Sequence, residues 1–182
     1  QALHQTSGED VASIAAPYTE HPGLPLVTSR AACSETSQQL TLTQERFLMR
    51  PAKASAELWE IPIVYGPPAA KAPAGRRLMK GRTAQIDGGR CAVPIKLNLG
   101  DTGYYRVEYD PVTDAALASA IETMAPADRV ELLSDNWALF GAGRIAVDRY
   151  FRLVDNVAPD RNRAVWERVI AVFARADDLQ RG

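Results

Sequence analysis

A small antiparallel β-sandwich followed by a truncated array of antiparallel α-helical hairpins is the fold this sequence predicts, on three observations. From Leu24 to Tyr109 apolar residues recur with period two, in short runs broken by Gly, Pro, Ser and Asp, the spacing of an all-β sandwich. After Asp110-Pro111 the period becomes helical and stays so to the C-terminus. The connections between those helical stripes are short, as in hairpins that stack on one another. The expected organisation is a terminal helix of an upstream domain over 1–21, the sandwich over 22–110, and the N-terminal part of a helical domain over 111–182.

Each element has a local reason. Ser7-Gly8-Glu9-Asp10 has the pattern of a helix start, with a hydroxyl to cap the backbone and an acid three residues on. Val11, Ile14 and Ala15 then share a face, and Pro17 and Pro22-Gly23 are expected to end the helix quickly. Leu24 to Thr28 is the first strand, and Gln39 to Phe47 the second, with Leu40 and Leu42 alternating against Thr41 and Thr43. Trp59, Ile61, Ile63 and Tyr65 share one face of the third, which Pro62 assigns to a sheet edge. Gly66 to Gly75 reads as a Pro/Ala-rich loop, with weaker strands at Arg77 to Lys80 and Thr83 to Ile86. Asp87-Gly88-Gly89 reads as a tight hairpin turn. Cys91, Val93, Ile95 and Leu97 fall on one strand face, which makes Cys91 a core thiol, and Gly100 to Gly103 turns the chain into a last strand, Tyr104 to Tyr109.

The helical stripes are Ala116, Leu117, Ala120, Ile121 and Met124, then Val130, Leu133, Trp137 and Phe140 behind Pro126 in the first turn. Val147, Tyr150, Phe151 and Val154 mark a third helix, and Val165, Trp166, Val169, Ile170 and Phe173 a fourth. The last is strongly apolar with nothing after it to cover it, the expectation for an array cut before its cap.

Composition narrows the function. With 21 Lys+Arg against 22 Asp+Glu in 182 residues, the charges nearly cancel and no global field recruits nucleic acid or acidic membranes. No apolar run approaches a membrane span, and no signal peptide is visible in a chain that starts at Gln1. The only histidines are His4 and His21, and the only cysteines Cys33 and Cys91, which leaves no three-ligand zinc site and no disulfide framework. The cysteines read as two reduced, packed thiols, as in a cytoplasmic protein.

Each candidate for chemistry also has a packing role. Cys33 with His21 would make a thiolate nucleophile, but no oxyanion-hole pattern lies between them. Asp128, Glu131 and Asp135 share a helix and read as its solvated face. Gly141-Ala142-Gly143-Arg144 lacks the Lys-Ser/Thr of a phosphate loop and reads as a helix stop. Tyr104, Tyr105 and Trp137 stand at core spacing. No residue is assigned a catalytic, cofactor-binding or metal-binding role.

The order of the segments carries more than any one motif. Ala2-Leu3, Ser7 to Val11, and Tyr18 to Val27 resemble "ALxxxSGxDL" followed by "WxxQPGxPLV". Leu40 to Phe47 matches "LxLxQxRF", Trp59 to Ile63 "WxIPI", Lys96 to Asp110 "KLNxGxxGYYRVxYD", and Asp128 to Gly143 "DRxxLLxDxWALxxAG". In that order these blocks resemble the C-terminal half of zinc aminopeptidases of the aminopeptidase N-like gluzincin family. Tyr18 stands where that family usually has Trp, and His21 where Gln is common. The resemblance implies the end of a catalytic domain, a small sandwich, and the start of a helical domain that packs over the catalytic chamber. The zinc, the HExxH helix, the further Glu ligand, the GxMEN loop and the catalytic Tyr would all lie upstream of Gln1. The expectation is therefore a chain inert by itself, partnered by the missing catalytic domain of the same polypeptide and, through it, by peptide substrate. Self-association through the exposed helical face is also expected. A stand-alone peptide-binding module is the alternative reading.

Overall fold

A computed structural model describes residues 10–50 and 56–181. Helix α1 spans Val11–Glu20, and seven strands follow: β1 Pro25–Ser34, β2 Ser37–Arg46, β3 Ile61–Gly66, β4 Gly75–Met79, β5 Thr83–Arg90, β6 Lys96–Leu97 and β7 Arg106–Tyr109. The rest is helical: α2 Pro111–Ser119, a 3₁₀ turn Ile121–Thr123, α3 Pro126–Gly141, α4 Val147–Asn156 and α5 Arg163–Arg181. A sandwich followed by helices is thus the architecture. The strands form a four-stranded sheet in the order β5-β2-β1-β7 and a three-stranded sheet in the order β4-β3-β6. Antiparallel pairing dominates, but β1 and β7 run parallel, with Leu26 opposite Arg106 and Ser29 opposite Tyr109.

That parallel pair places the helices. Leu26 and Val27 are both buried on adjacent positions of β1, so this end of the sheet is covered on both faces. Val27 joins Leu42, Trp59, Ile61, Ile63 and Leu97 in a core that continues into Leu117, Leu133, Tyr150 and Val169 of the helices. Leu26 packs instead with Phe47, Leu139 and Ile145. The two sheets are also tied by a buried amide. Gln44 Nε2 donates to the Trp59 and Gly81 carbonyls, and its Oε1 accepts from the Trp59 N–H, each at 2.9 Å.

Several local expectations are corrected. Ser7 lies outside the described residues, and the cap of α1 is Asp10, whose side chain accepts from the Ser13 N–H. Pro17 does not end this helix. The carbonyl it leaves without a partner, that of Ser13, is on an exposed residue in the first turn, and the helix closes with the His21 N–H on the Pro17 carbonyl at 3.1 Å. Pro62 lies in the central strand of its sheet, not an edge strand. It is tolerated because β6 pairs only with Tyr65 and Gly66, so at Pro62 the strand has a neighbour on one side alone. Asp87-Gly88-Gly89 is no hairpin turn either. It lies within β5 at a bulge where the register slips between Gln38 and Gln39, and Gly89, at φ 71°, takes the left-handed conformation there.

The strand-to-helix change falls at Asp110, the cap of α2. Its carboxylate accepts from the backbone of Val112 and Thr113, from the Thr113 hydroxyl, and from the Ala31 N–H of β1. Burial alone would raise its pKa, but these bonds outweigh it and hold the group below its ordinary 3.8. Asp110→Ala is expected to cost about 1–2 kcal/mol in urea unfolding, since it removes a cap and a strand contact at once. Thr113→Ala, which loses only the hydroxyl bond, should cost less.

Helix α3 stops as expected. Gly143, at φ 70°, donates to the Phe140 carbonyl at 2.8 Å and Arg144 to that of Leu139 at 2.9 Å, a Schellman closure. Arg144 then reaches back to Glu108 at 2.5 Å and Glu45 at 2.9 Å, linking the helix turn to β7 and β2.

Candidate functional site: the junction of sandwich and helices

Asp128, Glu131 and Asp135 recur on one face of α3, and that face is not solvated. It is pressed against the sandwich, with exposures of 2 %, 7 % and 4 %. The expectation fails because α3 is buried on more than its apolar stripe: Leu132 and Leu139 pack on further sides, leaving the acids to face β6 and β7. What they meet there is Lys96, fully buried. Its ammonium pairs with Asp128 at 2.9 Å and more closely with Glu131, and donates to the Leu97 and Asn98 carbonyls at 3.0 and 3.3 Å.

The turn after β6 completes the cluster. Asn98 takes φ 53° and Gly100 φ 82°, which folds the turn back on itself. Asn98 Nδ2 donates to Glu131 and to the Gly103 carbonyl, both at 3.1 Å, while its Oδ1 accepts from the Gly103 N–H at 2.7 Å. The Gly100 N–H donates to Asp128 at 2.6 Å. One helical turn on, Asp135 accepts from Arg106 at 2.8 Å and from the Val107 N–H at 2.8 Å. Arg106 also stands over the Phe47 ring, 5.1 Å from its centre. A second fastening lies beyond it, where Arg149 of α4 forks onto Asp114 of α2 at 2.8 and 2.9 Å.

Burial decides the protonation of this cluster. It pushes Glu131 up from 4.5 to about 8, more than Lys96 pulls it down, with the Asp135 charge adding to the rise. It pushes Asp135 up from 3.8 to about 6, against the Val107 and Arg106 bonds. On Lys96 burial acts downward, yet the Glu131 and Asp128 charges outweigh it and keep the ammonium charged. The acids outnumber the cations, so a proton retained among the acids relieves the excess negative charge. Glu131 and Asp135 bind protons more tightly folded than unfolded, so their contribution to stability is full below about pH 4 and is lost as pH rises through about 6 and then about 8. Unfolding free energy measured from pH 5 to 9 should therefore fall across that range, and Glu131→Gln should flatten the upper part of the slope.

Chemically this arrangement fastens two layers. The buried ions are engaged by one another, and Asp128 alone of the three acids also borders a pocket, between Pro68–Pro73 and Thr123–Ala125. The other candidate catalytic residues lie elsewhere. His21 stacks edge-on against Trp59, with ring centres 5.7 Å apart. Cys33 is no free thiol and Cys91 no core thiol: the two form a disulfide, with Cα atoms 5.6 Å apart. Residues 91–95 are a turn and irregular connection, so the strand face that buried Cys91 on paper does not exist. Tyr104 is 69 % exposed and packs edge-on near Tyr18, Tyr105 is buried, and Trp137 packs between Phe140 and Tyr150. Among the described residues, no group of three or more His, Cys, Asp or Glu side chains is arranged to hold a metal, and no helix is long and apolar enough to cross a membrane.

Residue type alone does not single out Lys96, Asn98 or Arg106. The available signal was the i, i+3, i+7 spacing of the three acids, which puts them on one helical face.

Comparison with known proteins gives this junction a family context. Residues 94–181 match the family model of the ERAP1-like C-terminal domain, so the matched segment begins two residues before the strand that carries Lys96 and includes every acid it meets. Puromycin-sensitive aminopeptidase of Caenorhabditis elegans is 27 % identical over 171 residues, covering 91 % of this chain and 18 % of that protein. Tricorn protease-interacting factor F2 of Thermoplasma acidophilum is 24 % identical, covering 92 % and 20 %. Endoplasmic reticulum aminopeptidase 2 of Homo sapiens is 30 % identical over 145 residues, covering 72 % and 14 %. The chain is thus similar to aminopeptidase N-like proteins, and its second half to the C-terminal domain of that group. It spans about a fifth of the length of the relatives it matches first.

Proposed function

We propose that this chain is a non-catalytic C-terminal portion of a zinc-dependent aminopeptidase, whose whole removes N-terminal residues from peptides. In this reading residues 1–21 close the catalytic domain, 22–110 form a spacer, and 111–182 begin the helical domain that helps enclose the chamber. The observation that carries it is the fastening of Lys96, Asn98 and Arg106 to Asp128, Glu131 and Asp135 within the segment matched to the ERAP1-like C-terminal domain. A spacer that positions a helical wall must be rigid at this joint. In this reading zinc belongs to the catalytic domain; of this chain's own side chains, Asp128 and Glu131 are engaged by Lys96, and His21 is packed on Trp59. The partners follow as the catalytic domain of the same polypeptide and its peptide substrate, with neither nucleic acid nor membrane.

The test is the size and upstream sequence of the native protein, captured from its source cells with an antibody against this chain. A product several times larger, with HExxH and GxMEN upstream, is expected. A native product of this chain's own size would overturn the reading in favour of a stand-alone peptide-binding module. The purified chain should release no product from aminoacyl-aminocoumarin substrates.

An open face of the helices supports self-association of the isolated chain. Phe151 and Phe173 stack 6.1 Å apart yet are each 44 % exposed, with Ile170 61 % exposed on the same helix as Phe173. Light scattering should show the mean mass rising with concentration, and F151S/F173S should abolish the rise. A mass that stays monomeric across the range would refute it.

A further inference from the structure

We infer that the Cys33–Cys91 disulfide is a reducible staple whose opening by a dithiol loosens the segment that delivers Lys96 to the acids of α3. The inference is independent of the function proposed above. Cys33 lies near the end of β1 and Cys91 directly after β5, the two strands that flank β2. Their bond therefore reaches across the tip of the β1–β2 hairpin and holds the chain where it leaves the sheet. From there only Ala92 to Ile95 separate the staple from Lys96.

Besides the staple, two polar tethers hold this segment. The Cys91 N–H donates to the Thr36 carbonyl at 3.2 Å, and the buried Gln38 amide gathers the carbonyls of Gly88, Arg90 and Val93 at 3.1, 3.0 and 2.5 Å. These bonds hold the start of the connection and leave Pro94 and Ile95 to transmit its position to Lys96. A register shift at Lys96 would withdraw the one ammonium shared by Asp128 and Glu131.

The two sulfurs are not equivalent. Cys33 is exposed and Cys91 half-buried, so an incoming thiolate reaches Cys33. Its electron pair forms a bond to Cys33 Sγ, the Cys33–Cys91 bond breaks, and the released pair leaves on Cys91 Sγ, which takes up a proton. Cys91 Sγ lies 3.2 Å from the Ser37 carbonyl oxygen, an acceptor in place for that thiol hydrogen. The second thiol of the reagent then attacks the mixed disulfide and frees Cys33, leaving the reagent as a cyclic disulfide. Two electrons and two protons pass from the dithiol to the protein.

The test uses the intact chain. Reduced glutathione, a monothiol probe, should be trapped on Cys33 in peptide mass spectra, with Cys91 alkylated by iodoacetamide. With dithiothreitol, amide hydrogen exchange over Cys91–Asn98 and Asp128–Asp135 should accelerate at least about ten-fold more than over Val165–Val172, whose exchange reports the loss of global stability. C33S/C91S should show the fast pattern without reagent and no further change with it. Glutathione found on Cys91, or unchanged exchange at Lys96–Asn98, would overturn the inference. Equal acceleration at Val165–Val172 would do so too, because it would mean global unfolding in place of local release.

Discussion

Lys96→Met is expected to lower the unfolding free energy by about 3–5 kcal/mol, the cost of leaving buried carboxylates without their cation. The substitution keeps the apolar volume of the side chain and removes the ammonium that Asp128 and Glu131 share with the Leu97 and Asn98 carbonyls. Urea unfolding at pH 9, above the value of about 8 to which Glu131 is held, should show the larger loss. At pH 5 the loss should shrink, because Glu131, held up to about 8 by burial, is then protonated and needs no counter-charge. The triple variant K96M/D128N/E131Q should recover most of the stability, since neutral amides can share hydrogen bonds with Asn98 and the Gly100 N–H. A single-variant loss below about 1 kcal/mol, within the range of a solvated ion pair, would mean that the cluster is wet and fastens nothing.

Removing the disulfide is expected to have a comparable effect by a different route. Cys33 and Cys91 are separated by 58 residues, and opening a loop of that size returns conformational entropy to the unfolded chain worth about 4 kcal/mol at 25 °C. C33S/C91S should shift the urea midpoint down accordingly, and dithiothreitol should shift the wild type to the same place while leaving the variant unmoved. Equal midpoints for oxidised wild type and variant would show that the bond contributes nothing to stability. Since opening the staple also loosens the segment that delivers Lys96, Lys96→Met and C33S/C91S together should cost less than the sum of their separate effects. Strict additivity would mean that residues 91–95 transmit nothing from the staple to Lys96.

The strands and helices were legible wherever one face alone is buried. β2 alternates Leu40 and Leu42 against exposed Thr41 and Thr43, and the pattern reads directly as a half-buried strand. The stop of α3 at Gly141–Gly143 was equally plain, because a left-handed closure needs glycine. Reading failed where a residue type has two uses. A Gly-Gly pair serves a hairpin or a bulge, and only the slip between Gln38 and Gln39 selects the bulge. Proline in a strand signals a missing neighbour, but which side and how far along depends on where β6 ends. Acids on an amphipathic helix are solvated unless another layer covers them, and here β6 and β7 do.

By itself the sequence determined the order of the elements, the change from period two to helical period at Asp110-Pro111, and the ordered blocks that carry the family resemblance. These are local properties, set by side-chain periodicity and by the few residues that permit special backbone angles. Tertiary structure alone decided the parallel pairing of β1 with β7, the joining of Cys33 to Cys91, and the burial of Lys96 among Asp128, Glu131 and Asn98. Each depends on which distant segments share a layer. A charge or thiol has no fixed role until folding sets its dielectric surroundings and its neighbour, and neither is written in the residues beside it along the chain.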